Sequence, residues 1–283
     1  MVDLAAARRF VQLHGRLVDR RRFAHLVDGG PADDVAAALD AYANADGGYA
    51  GLLEPDVRTL SSQPIAVLTA FELLHEVGRP APEAALAWLQ SSSNDDGGLP
   101  FHLPAADDAP QAPWMQPSAG SSLHMTAAVT AAALRLGATG SWVDAATAYC
   151  RTAIAESRDG LTAHETKYAL DLLDAAGDTD GVAALAATLP PDGRLPVAGG
   201  TEDEALTGLD LAPRPDSAVQ RSLPPGLVAG DLDRLAAGQR EDGGWDVDWL
   251  VWAPAVGHEW RARRTADALA VLRQHGRLPL GYS

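Results

Sequence analysis

The chain of 283 residues holds 55 Ala, 27 Gly and 19 Pro, and sets 38 Asp plus Glu against 22 basic residues for a formal net charge of −16. That charge repels phosphate and argues against a broad nucleic-acid or anionic-membrane footprint, while the single Cys150 excludes a disulfide framework and a Cys-rich zinc module. No apolar run approaches the roughly 20 residues that span a bilayer. The opening MVDLAAARRF lacks the apolar stretch and small-residue cleavage site of a secretory signal, so a cytoplasmic location is expected.

In chain order, a helix is predicted over 3–19. A signature then recurs: an Ala/Leu-rich helix, an Asp-Gly corner, a variable loop and a second helix. The corners are Asp46-Gly47-Gly48, Asp96-Gly97-Gly98, Asp159-Gly160, Asp192-Gly193 and Asp242-Gly243-Gly244. Asp-Gly after a helix supplies the left-handed cap at which a chain can reverse. The helices before the corners (31–44, 82–92, 141–157, 178–188, 229–239) carry charge on one side and should be exposed there. The helices after them are more apolar: Ile65 to Gly78, Thr126 to Leu136, Thr166 to Ala176 and Thr265 to Leu272. The second of these is apolar on every face, which predicts burial on every face. Little in the sequence alternates with period two, so few strands are expected.

Helix pairs whose second member is the more apolar imply an all-α fold of two concentric layers, the second helices inside and the first outside. Helix 3–19 would complete a sixth pair with the C-terminal segment. No long Gly/Ser/Pro linker divides the chain, so residues 1–283 are expected to form one domain.

The segment Leu235 to Gly276, with Gln239 before Asp242-Gly243-Gly244-Trp245 and then Thr265-Ala266, resembles the Gln-Trp repeat of squalene–hopene and oxidosqualene cyclases. Weaker copies at 37–78 and 85–137 extend the resemblance over most of the chain from about residue 35. It implies an (α/α)6 toroid of the terpenoid cyclase and protein prenyltransferase superfamily, with inner-helix N-termini opening onto a central apolar cavity. The catalytic motifs do not follow. Where class II cyclases carry Asp-x-Asp-Asp, this chain has Arg261-Ala262-Arg263-Arg264. His124 falls where the prenyltransferase zinc histidine would, but Leu60-Ser61-Ser62 replaces the Asp-x-Cys ligands, which argues against zinc.

The toroid places five segments at the cavity mouth: Arg58 to Gln63, Ser121 to Met125, Thr162 to Tyr168, Thr201 to Glu204 and His258 to Arg263. His124, His164-Glu165 and His258-Glu259 are therefore candidate acid–base or binding groups, because a helix dipole disfavours the imidazolium at an N-terminus. The same residues could instead simply cap free backbone N–H groups. A second group is Trp245, Asp246, Asp248, Trp249, Trp252 and Trp260, of which Trp245 is expected foremost to lock adjacent helix ends with Gln239. There an acid half-buried among aromatic faces could donate a proton and the rings could stabilise a carbocation. A third is cationic: Arg58, Lys167 beside Tyr168, Arg261, Arg263 and Arg264, which either hold a diphosphate or carboxylate or simply pair with Glu165, Glu259 or Asp56. The Asp107-Asp108 pair reads as a solvated loop.

The expectation is an enzyme acting on an isoprenoid or other hydrophobic metabolite by acid–base chemistry, with Asp246, Asp248, His258, Glu259, His164 and Glu165 catalytic. Trp249, Trp252, Trp260, His124, Arg58, Lys167, Tyr168 and Arg261 would bind substrate. The alternative is a toroid that binds a hydrophobic ligand or a partner protein without turnover. Mg²⁺ is expected only for a diphosphate substrate, and relatives of the prenyltransferase β type can require a partner subunit.

Overall fold

The computed structural model describes residues 2–157 and 160–278. More than half of the chain is helical, and the only sheet among the described residues has two strands. In chain order the helices are α1 (Leu4–His14), α2 (Leu17–Asp28), α3 (Ala32–Asp40), α4 (Pro64–Glu76), α5 (Glu83–Ser92), α6 (Leu123–Arg135) and α7 (Ser141–Ser157). There follow α8 (Ala163–Ala175), α9 (Thr179–Ala186), strands β1 (Leu195–Pro196) and β2 (Ala205–Leu206), α10 (Gly208–Leu211), α11 (Ala218–Ser222), α12 (Leu227–Ala237) and α13 (Pro254–Gln274). The chain forms two compact units, Met1–Ala38 with Leu189–Ser283, and Leu39–Thr188.

The second unit is built on α6. Its residues from Met125 to Ala133 are all buried, as the absence of a polar face requires, and it packs against α4, α7 and α8. By contrast α7 buries only Trp142, Val143, Ala146, Cys150 and Ile154, a stripe at helical spacing.

Three corners share one geometry. In the first, Asn44 N–H donates to Gly48 O, Gly47 N–H to Asn44 O, and Gly48 N–H to Asp46 Oδ1. Asn94 to Gly98 and Arg240 to Gly244 repeat all three bonds. The middle glycines sit at φ +95, +86 and +96°, which L side chains rarely adopt. There is no room for a Cβ either, because each glycine lies against the backbone of a neighbouring helix: Ala84 of α5, Ala145 of α7 and Ala6 of α1, respectively. The following glycines meet Trp88, Tyr149 and Phe10, one turn further along the same helices. A threonine then ties corner to helix. Thr126 Oγ1 accepts from Leu99 N–H at 2.8 Å and donates to Ser122 O at 2.7 Å. Thr265 does the same with Trp245 N–H at 3.1 Å and Arg261 O at 2.7 Å. The Asp159-Gly160 corner has its Asp outside the described residues.

Three expectations are corrected. Helix 3–19 is two helices: Gly15 N–H bonds Val11 O as α1 ends, and Asp19 accepts from Arg16 N–H at 3.0 Å to start α2. The apolar helix expected after Asp192-Gly193 is replaced by the antiparallel β1–β2 hairpin and the single turn of α10. Pro196 and the left-handed Gly199 exclude a helix there, so Thr201 to Glu204 are hairpin turn rather than helix start. Finally α13 begins at Pro254, favoured at a first helical position, so His258 lies one turn inside the helix rather than at its opening.

Candidate functional site

In the second unit, Ser122 and Thr162 cap neighbouring helices. Ser122 Oγ accepts from Met125 N–H at 3.2 Å. The Glu165 carboxylate takes both the N–H and the hydroxyl of Thr162, at 2.9 and 2.8 Å. Glu165 is therefore the reciprocal half of a capping box.

These caps put His124 and His164 each at the second position of its helix, and the two rings stack at 5.1 Å with 9° between planes. Tyr168, one turn beyond His164, stacks on His124 at 4.9 Å and 18°. Phe101, from the loop before α6, tilts against the same ring at 5.3 Å. Lys167, the chain's one lysine, places Nζ 5.2 Å from the Tyr168 centroid. Burial foremost, then the charges of His164 and Lys167, push the His124 pKa down to about 3. His124 is thus a neutral imidazole at physiological pH, able to donate one hydrogen bond and accept another. Arg58 lies half-buried on the segment leading to α4.

In the first unit, α1 meets α13. His258 is exposed and stacks on His14 at 4.5 Å and 13°. Burial foremost, followed by the charges of His258 and Arg261, lowers the His14 pKa. The Arg261 guanidinium lies 4.5 Å from the Phe10 centroid and grips Asp242 through two bonds of 2.8 and 2.9 Å. That grip, more than anything else, holds the Asp242 carboxyl below its usual range. Asp246 is exposed and ion-paired to Arg261 at 2.8 Å and to Arg240 at 3.1 Å. Asp248 is exposed as well.

The tryptophans separate. Trp245 is 3% exposed and donates to Leu235 O at 2.7 Å, a packing role. Trp249 and Trp260 meet edge to face at 5.1 Å, with Arg263 5.4 Å from the Trp260 ring. Trp252 buries an indole N–H that has no hydrogen-bond partner among the described residues. Glu259 is half-buried on α13.

The structure therefore joins His124, His164, Tyr168 and Lys167 into one cluster, and places Arg261 and Asp246 in another. Asp246 and Asp248 are not sunk among the tryptophans. Sequence reasoning passed over Phe101, Phe10 and His14. Nothing in the local pattern around His14 marks it, because its partner is 244 positions away. Among the described residues no group of three or more His, Cys, Asp or Glu is placed to hold a metal ion. No described helix is long and apolar enough to cross a membrane. The chain matches no protein-family model and no curated protein.

Proposed function

We propose that this chain is an α/α toroid acting on an isoprenoid or similar hydrophobic metabolite with an anionic head group, held at the openings of α6 and α8. The observation that carries the reading is the stack of His124, His164 and Tyr168 beside the only lysine of a strongly acidic chain. Lys167 supplies charge for a diphosphate or carboxylate. Neutral His124 offers one donor and one acceptor. We assign proton transfer to His164. The toroid is supported by the last corner, which packs on Ala6 and Phe10 of α1 as earlier corners pack on the next outer helix.

A second reading, binding without turnover, draws support from Asp246 and Asp248, both of which are exposed rather than shielded among the tryptophans.

Incubation with geranyl, farnesyl and geranylgeranyl diphosphates, with and without Mg²⁺, followed by product analysis and calorimetry, tests both. Turnover lowered about a hundredfold or more in His164→Gln supports the enzyme. Saturable binding without product, lost in Lys167→Ala, supports the binder. Absence of binding overturns both.

A further inference from the structure

The helical hairpin α1–α2 departs from the character of the chain. Residues 1–28 carry six arginines and three aspartates, a local charge of +3 within a total of −16. Between the two helices lies a groove of about 240 Å³, lined by Arg8 and Val11 from α1 and by Leu17, Arg20, Phe23, Ala24 and Asp28, among others, from α2. Its floor is apolar and buried, with Val11 and Phe23 only 1 and 2% exposed. Leu17 forms an open wall, 56% exposed, and Leu13 beside it is 74% exposed.

The rim is cationic and unevenly compensated. Arg8 pairs with Asp28, and Arg21 with Asp34 at 3.0 Å. Arg20 instead donates Nε to Gly15 O at 2.7 Å, and no carboxylate pairs with it among the described residues. Pinning Nε leaves the terminal NH₂ groups of the guanidinium to meet an anion, the geometry at which arginine excels. A volume below the 300–1,000 Å³ of ordinary ligand pockets limits the occupant to a short chain or single ring.

We propose that this groove binds a small soluble amphiphile with one carboxylate or phosphate head, its apolar part against Val11, Leu17 and Phe23 and its head on Arg20. The site is separate from the proposed head-group cluster and does not depend on it. An anionic occupant offsets the local excess of positive charge, and the apolar tail covers Leu17, which water otherwise wets.

The test uses the full chain and four ten-carbon probes below their micellar concentrations: decanoate, decyl phosphate, decanol and decylamine. Calorimetry and ¹⁵N–¹H shift mapping read the site. The two anions are expected to bind saturably at one site, at least tenfold tighter than decanol, with shifts centred on residues 8–24. Arg20→Glu should weaken them tenfold or more, Ala24→Phe should fill the groove and abolish binding, and Lys167→Ala should change nothing. Circular dichroism establishes that each variant is folded. Equal binding of decanol and decanoate, or wild-type binding by both groove variants, overturns the proposal. So does sedimentation with phosphatidylglycerol vesicles in the absence of monomer binding, which would make the patch a membrane contact. Loss of diphosphate binding in Lys167→Ala, with decanoate binding intact, keeps the two sites distinct.

Discussion

Gln239 clasps the backbone of Asp3. Its Oε1 accepts from Asp3 N–H at 2.7 Å and its Nε2 donates to Asp3 O at 2.8 Å, while the same nitrogen reaches Gly243 O at 3.0 Å. A corner near the C-terminus thereby holds the residue that caps the first helix, since Asp3 Oδ1 accepts from Ala6 N–H at 2.9 Å. Gln239→Ala removes these bonds and leaves their backbone partners to water, so a loss of about 1–2 kcal/mol is expected. Gln239→Glu should cost as much, because a carboxylate cannot donate to Asp3 O. Urea denaturation followed by tryptophan fluorescence measures both, and wild-type midpoints for the two variants would contradict the clasp.

The corners make a second expectation. Gly97 lies at φ +86°, and a Cβ there would stand 2.8 Å from Ala145 O, whereas Gly137 lies at φ +75° with open space around it. Gly137→Ala should cost about 1 kcal/mol of backbone strain alone. Gly97→Ala should cost clearly more, since α7 must also move. Thermal midpoints of the two single variants, ranked against each other, decide it.

His124 sets a pH dependence. Its folded pKa of about 3 lies below the unfolded value near 6.5. The unfolded chain therefore takes up the proton first as pH falls, and stability present above pH 6.5 is lost between 6.5 and about 3. At pH 5 the loss from this residue is about 2 kcal/mol relative to pH 8. Unfolding free energies of wild type and His124→Asn, measured from pH 8 to pH 5, should converge by that amount as the pH falls. A constant difference across the range would mean that His124 is not held neutral.

On the proposed reading, Lys167→Ala should weaken geranylgeranyl diphosphate binding tenfold or more, while Asp248→Asn should leave it unchanged within twofold. Asp248 is exposed, whereas Lys167 sits at the ring stack. Equal effects of the two substitutions would remove the reason for locating the head group at α6 and α8.

Cys150 gives a probe of opening. It is buried on α7, and desolvation raises its thiol pKa, so little thiolate exists to react. Native protein should resist a thiol reagent that labels it fully in 6 M guanidinium. Rapid labelling without denaturant would show that α7 opens readily.

The helical pairs were legible from local pattern. Thr126 to Leu136 offers no polar face, and Asp-Gly-Gly allows little but a left-handed reversal, so α6 and its corner follow from short-range chemistry. After Gly193 the local chemistry departs from the repeat, because Pro196 and the left-handed Gly199 favour a hairpin over a helix. Of the candidate site, Lys167 and Tyr168 stood out through their rarity and position. The stacking of His124 on His164 did not, because it depends on how two separate helices pack against each other.

The excess of alanine pointed to a mostly helical chain, and the acidic composition argued against a broad footprint on nucleic acid or anionic membrane. They did not reveal that Arg8, Arg20 and Arg21 line one groove between α1 and α2, or that His14 finds His258 across the whole length of the sequence. Helix propensity and turn chemistry act within a few residues and are written locally. Which rings meet, which acids stay in water and which arginines find a carboxylate depend on contacts between distant segments. Those contacts exist only once the apolar faces have found one another.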